Sequence, residues 1–228
     1  MTRFIKLFDV SSQTQISDVN MCILKDILLH GNLPKIESVD AKTRMKDNDD
    51  RPYLDYFING KLYETFGFAV SDGVFMPDVA SLAEVNKLAE TMFREETIYG
   101  VKDSRKLEAI LNSVSAEYFG VATYSGVVNK AAAIWHKIAD AQSFQNGNKR
   151  TALLSGLFVL GMNGFELENT LGNEMYDISL KIANKEMDQE DVAMFIRSRL
   201  SIKFYESFEQ AASPDTSFEV KMKLDKPK

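Results

Sequence analysis

The residues best suited to chemistry lie in one run, Gln142-Ser143-Phe144-Gln145-Asn146-Gly147-Asn148-Lys149-Arg150, which leads straight into the apolar stretch TALLSGLFVLGM. A polar turn that enters a helix offers backbone N–H groups with no intrahelical acceptor. The helix dipole adds positive character at the same place. Gly147 removes the side chain that would block close approach. Lys149 and Arg150 add two cations, and arginine's planar fork can grip a phosphate through two parallel hydrogen bonds. The run therefore suits a phosphate or nucleotide cradle. It contains no acid, histidine or cysteine, so it carries binding chemistry without an evident proton acceptor. Asn-Gly-Asn before a helix also makes a plain turn with a cap, and the run alone leaves both readings open.

The elements that must position this run are mostly helical. From about residue 78 to 200 the apolar spacing predicts successive helices. The first, in DVASLAEVNKLAETMF, has apolar residues at 82, 85, 88, 89, 92 and 93, and DSRKLEAILNSV follows as a shorter one. SAEYFGVATYSG, rich in aromatic and small residues, breaks the pattern before the Ala-rich helix VVNKAAAIWHKIADAQ. The helix opening near Asn148 is apolar nearly all round, which suits the centre of a bundle. Asn163-Gly164 ends it, and NEMYDISLKIANK and DQEDVAMFIRSRL supply two more helices. Upstream, Ser17 or Asp18 is expected to cap a helix that Gly31-Asn32 ends. Residues 36–52 read as a polar loop, and Asn59-Gly60 between aromatic-rich runs predicts a hairpin with strands near 53–58 and 61–66. Residues 203–228, polar with Pro214 and Pro227, read as a tail, partly disordered.

The 228 residues are 45% hydrophobic and 26% charged, values of an ordinary globular chain able to bury a core without staples. A single cysteine, Cys22, excludes an internal disulfide and a cysteine-based zinc site. The net charge of −6 argues against broad nucleic-acid binding, which needs a basic surface. No signal-peptide pattern opens the chain, and no stretch approaches the roughly 20 apolar residues that span a bilayer. The expectation is a cytoplasmic protein.

Two segments, GVKDSRKLEAIL and FQNGNKRTALL, in that order around an Ala-rich helix and closed by NGFEL, resemble the Fic/Doc family and within it the death-on-curing (Doc) branch. The resemblance covers roughly residues 77–200. It implies a mainly α fold: a Fic-type helical bundle at 77–202, with a flap before the motif helix pair. The β-hairpin and α segment of residues 1–76 form an extension that it does not cover. It also implies an activity. Fic proteins transfer part of a nucleotide, most often AMP, to a hydroxyl of a target protein. Doc-like members transfer a phosphate and act as toxins held in check by an antitoxin.

The family motif runs His-x-Phe-x-acid-Gly/Ala-Asn-Gly/Lys-Arg. Phe144 matches its Phe, Gly147 and Asn148 match the anion-binding turn, and Arg150 matches the phosphate-holding arginine. Lys149 stands where Doc members have lysine. Leu153 stands where AMP-transferring members carry a second arginine, and both features favour the Doc branch. Two departures bear on turnover. The general-base histidine is Gln142, and a primary amide cannot accept a proton near neutral pH; losing a general base costs typically ~10²–10⁴ in rate. The magnesium-holding acid is Asn146, a neutral and weaker ligand.

The resemblance thus implies ATP or another nucleotide with Mg²⁺ as cofactors, held by Asn146, Gly147, Asn148, Lys149 and Arg150. It implies a target protein docked by flap residues Tyr118, Phe119 and Tyr124, and an antitoxin as a further partner. His136 lies six residues before Gln142, ~9 Å along a helix, too far to replace the missing base. His30 ends a helix, and Asp140 reads as a solvated helix end. Both an enzyme with a rewired site and a Fic-fold binding module without turnover are compatible with these residues.

Overall fold

The computed structural model describes residues 2–8, 13–30, 35–46, 49–71, 73–93, 98–168, 172–213 and 215. The chain begins with a strand, β1 (Arg3–Phe8), and a helix, α1 (Gln13–His30). Three strands follow: β2 (Val39–Lys46), β3 (Asp49–Ile58) and β4 (Lys61–Ser71). They make one four-stranded sheet in the order β1-β4-β3-β2, with β1 parallel to β4 and the other pairs antiparallel.

The hairpin expected at Asn59-Gly60 is present, with both residues at positive φ (49° and 76°). That backbone joins strands without splaying them, which is why Asn-Gly suits it. The polar loop expected at 36–52 is instead mostly strand: β2 occupies 39–46 and β3 begins at 49. β2 is an edge strand, and its alternating charges suit an edge that must not recruit another chain. The hairpin is thus one part of a larger sheet.

Helix α1 begins at Gln13, so Ser17 and Asp18 lie inside it rather than at its cap. Asp18 is buried and accepts from Arg197 Nε at 2.9 Å, tying α1 to the bundle. Gly31-Asn32 falls outside the described residues.

The bundle comprises α2 (Val79–Phe93), α3 (Ser104–Ser115), α4 (Gly126–Ala141), α5 (Asn148–Met162), α6 (Gly172–Ala183) and α7 (Gln189–Arg199). Between α3 and α4 stands a small hairpin of β5 (Glu117–Tyr118) and β6 (Val121–Ala122). α4 and α5 form the centre, as the all-round apolar pattern of α5 predicts. They approach closely because Gly156 lies against the Trp135 side chain, where a Cβ would meet it at 3.1 Å. Trp135 is fully buried and satisfies its indole N–H on Ser179 Oγ at 2.7 Å. Asn163 ends α5, and its carboxamide exchanges hydrogen bonds with the Phe75 backbone (2.8 and 2.9 Å).

After α7 the chain forms β8 (Leu200–Ile202), which pairs antiparallel with β7 (Phe165–Leu167), and a short helix, α8 (Phe208–Ala212). Residues 203–213 are therefore folded, against the expectation of a tail. Tyr205 bridges to Phe4 on β1 through reciprocal backbone bonds of 3.0 and 2.8 Å. Residues 216–228 lie outside the described residues.

Candidate functional site

The turn from Ala141 to Thr151 joins the two central helices. Gln142 ends α4 in the left-handed conformation (φ 50°, ψ 45°) and is exposed. Phe144 is buried and anchors the turn in the core. The Asn148 carboxamide clasps the turn from within: Oδ1 accepts from Phe144 N (2.9 Å) and Nδ2 donates to Phe144 O (3.0 Å). Asn148 thus shapes the loop through its side chain and offers a ligand its backbone. Gly147 is the N-cap of α5 at φ 68°, ψ 21°, left-handed backbone that favours glycine. Its carbonyl accepts from Thr151 N at 2.8 Å, the first bond of α5.

The segment GVKD, which opens the first of the two segments that carry the resemblance, packs against this turn. Val101 bridges to Phe144, Gln145 N donates to Gly100 O at 2.9 Å, and Ser143 O accepts from Lys102 N and Asp103 N at 2.8 and 3.1 Å. Asp103 then caps α3 by accepting from Lys106 N at 3.0 Å. The two segments are therefore two sides of one structure.

Two residues of α2 complete the site. Asn86, fully buried, donates from Nδ2 to the Asn146 carbonyl (3.0 Å) and Thr151 Oγ1 (2.8 Å), and accepts from Gly100 N (2.7 Å). Glu90 lies one helical turn later and is 2% exposed. Arg150 Nη2 donates to Glu90 Oε1 at 2.9 Å, and Asn146 Nδ2 donates to Glu90 Oε2 at 3.2 Å. The carboxylate lies so close over the turn that a Cβ on Gly147 would overlap it. Sequence reading passed over both residues. The signal was available: 86 and 90 fall on the stripe of Leu82, Val85 and Ala89, where buried positions should be apolar.

Asn146 Oδ1 accepts from Gly147 N at 2.8 Å, so its amide is oriented by the turn on one side and by Glu90 on the other. Among the described residues no group of three or more His, Cys, Asp or Glu is placed to hold a metal. The local donor set is the single Glu90 carboxylate, because the Asn146 amide oxygen is turned to Gly147 N and its nitrogen to Glu90. That set fits Mg²⁺, which commonly takes one or two carboxylates and completes its shell with phosphate and water.

The other residues singled out above are placed as follows. Lys149 is partly exposed on the first turn of α5. Tyr118 and Phe119 project from the β5–β6 hairpin at 68% and 106% exposure, with Phe119 at φ 53°. Tyr124 is half-buried at the hairpin's base, near Lys137 Nζ (5.9 Å to the ring centre), and so does not share the exposed tip. His136 is half-buried on α4, and desolvation lowers its pKa from the usual imidazole value, outweighing the raising effect of a hydrogen bond to the Met187 backbone. Asp140, in the last turn of α4 just before Gln142, pairs with Lys185. Cys22 is buried, and desolvation pushes its thiol up to about 12.

Residues 79–160 match the model of the Fic/DOC family, so the chain carries a Fic/DOC-family segment there. The match begins with α2 and reaches into α5, and so contains the turn, Asn86 and Glu90 together. No curated protein matches the chain. Among the described residues no helix is long and apolar enough to cross a membrane.

Proposed function

We propose that this protein binds a nucleotide phosphate at the Gly147–Arg150 turn and transfers a phosphoryl or adenylyl group to a hydroxyl of a target protein. One observation carries this reading: Gly147 in left-handed backbone at the start of a central helix, with the buried Arg150 guanidinium beside it. Backbone N–H groups, helix dipole and arginine converge there, and positioning with electrostatics supplies much of phosphoryl-transfer catalysis. Arg150 would exchange Glu90 for the phosphate on binding. Lys149, partly exposed beside it, adds charge for the outer phosphates. The exposed Tyr118–Phe119 tip would hold an extended target segment by strand addition. On the likeness to the death-on-curing branch, the biological role we favour is that of a toxin restrained by an antitoxin, with residues 77–202 as the working unit.

A second reading has support of its own. Gln142, at the position of the family's base, carries an amide that cannot take up a proton. A binding module that holds nucleotide or protein without turnover fits that residue. Incubation with ATP labelled at the α or the γ phosphate, with candidate target proteins, separates the two. Transfer of either label to protein supports the enzyme. Nucleotide binding with no label transferred, and transfer appearing on Gln142→His with Asn146→Asp, supports the module. No nucleotide binding and no transfer by either form overturns the enzyme and leaves the module as a binder of protein alone.

A further inference from the structure

Glu90 poses a charge problem for a phosphate at this turn, and the inference drawn from it rests on the nucleotide reading above. Its carboxylate is bonded to Arg150 Nη2 at 2.9 Å and to Asn146 Nδ2 at 3.2 Å, deep in the protein. The helix that bears it is fixed to the same turn. Asn86, four residues earlier on α2, bonds the Asn146 carbonyl, the Thr151 hydroxyl and the Gly100 N–H. Withdrawing α2 would break all three bonds and orphan buried polar groups. A phosphate that recruits Arg150 therefore arrives beside a carboxylate that the fold keeps in place. Two anions in contact repel strongly in such surroundings. A divalent cation between them converts the repulsion into attraction.

We propose that Glu90 supplies the cation-binding carboxylate that Asn146 lacks, so that the turn takes its phosphate only as a divalent-cation complex. Glu90 is the ligand in this arrangement, and Asn146, bonded to Oε2, is a positioning residue that orients it. The missing acid of the turn is thus restored from a different helix, 56 positions away in sequence. A single carboxylate gives little affinity for a bare cation, so cation and phosphate bind together.

Calorimetric titration of ATP, with Mg²⁺ or with a chelator, tests this on the full chain and on Glu90→Gln, which keeps the side chain's shape. Mn²⁺ paramagnetic resonance in the presence of ATP gives an independent readout of cation capture. The wild type is expected to bind ATP about tenfold or more tightly with Mg²⁺ than without. Glu90→Gln should lose that difference and the immobilised Mn²⁺ signal. Adding Asn146→Asp to Glu90→Gln should restore both, because it returns a carboxylate to the same place. Cooperative melting of each variant verifies folding.

The proposal is overturned if Glu90→Gln keeps the divalent dependence. It is overturned equally if that variant binds ATP more tightly with and without Mg²⁺, which would make the carboxylate a plug of the phosphate site. In both cases nucleotide binding itself stands. Absence of ATP binding in every form overturns the nucleotide reading together with this one.

Discussion

The Glu90 carboxylate stands over Gly147, in the space where any side chain at that position would have to go. Glycine here is therefore required twice, by its left-handed backbone (φ 68°) and by the carboxylate above it. Gly147→Ala should cost about 1–3 kcal/mol from the backbone conformation, with the clash in addition. Thermal unfolding of the variant alone and with Glu90→Ala separates the two contributions. The second substitution should recover only the part due to the clash.

The Arg150–Glu90 pair is nearly excluded from solvent, with side chains 8% and 1% exposed. Removing one partner of such a pair leaves a buried charge, typically at a cost of about 3–5 kcal/mol. Arg150→Met should lower stability by about that amount in urea denaturation. Adding Glu90→Leu should return most of it, since an apolar pair of similar size is tolerated well. Equal stability of Arg150→Met and wild type would contradict the buried pairing.

Asn86 secures three groups of the turn and its neighbours at once. Asn86→Ala should cost about 1–3 kcal/mol for each buried group left without a partner. The effect should also be local: the Gly100 amide, which donates to Asn86 Oδ1 at 2.7 Å, should exchange with solvent much faster than in the wild type. Unchanged exchange at Gly100 would show that another acceptor takes over.

The C-terminal part of the fold should be sensitive to acid. Lys6 (2% exposed) donates from Nζ to Asp215 at 2.8 Å, and Lys203 Nζ and Tyr205 Oη donate to it at 3.0 Å each. Burial alone would raise the Asp215 carboxyl, but the Lys6 and Lys203 hydrogen bonds lead the opposing effects and hold it below the usual carboxylate value. A carboxylate with a lowered folded pKa contributes stability above its unfolded value, about 3.9. That contribution is lost as pH falls through the folded value. Hydrogen exchange over residues 203–213 should therefore accelerate below about pH 4. Asp215→Asn should show the faster exchange already at pH 6 and little further change. Identical pH profiles for the two proteins would contradict the assignment.

Much of the helical region is legible in the residues themselves. The apolar stripe of α2, the all-round apolar α5 and its end at Asn163 are short-range features with short-range causes. Asn59-Gly60 likewise encodes its own turn. The misread parts depend on distant partners. β2 reads as a loop because half of its run VDAKTRMK is charged and residues 39–45 are exposed; its pairing to β3 makes it a strand. Residues 203–213 read as tail because Tyr205 finds its backbone partners on β1, at the opposite end of the chain. At the site, Gly147, Lys149 and Arg150 stand together in sequence and could be found together. Glu90 comes from another helix, and only the fold brings its charge to Arg150.

Titration of ATP with Mg²⁺ into the wild type and Arg150→Lys tests the central claim most directly, because lysine keeps the charge and loses the fork. A phosphate site built on the Gly147–Arg150 turn predicts binding in the wild type, weakened about tenfold or more in a variant that still unfolds cooperatively. Absence of binding at millimolar ATP, or binding that Arg150→Lys leaves untouched, would contradict it.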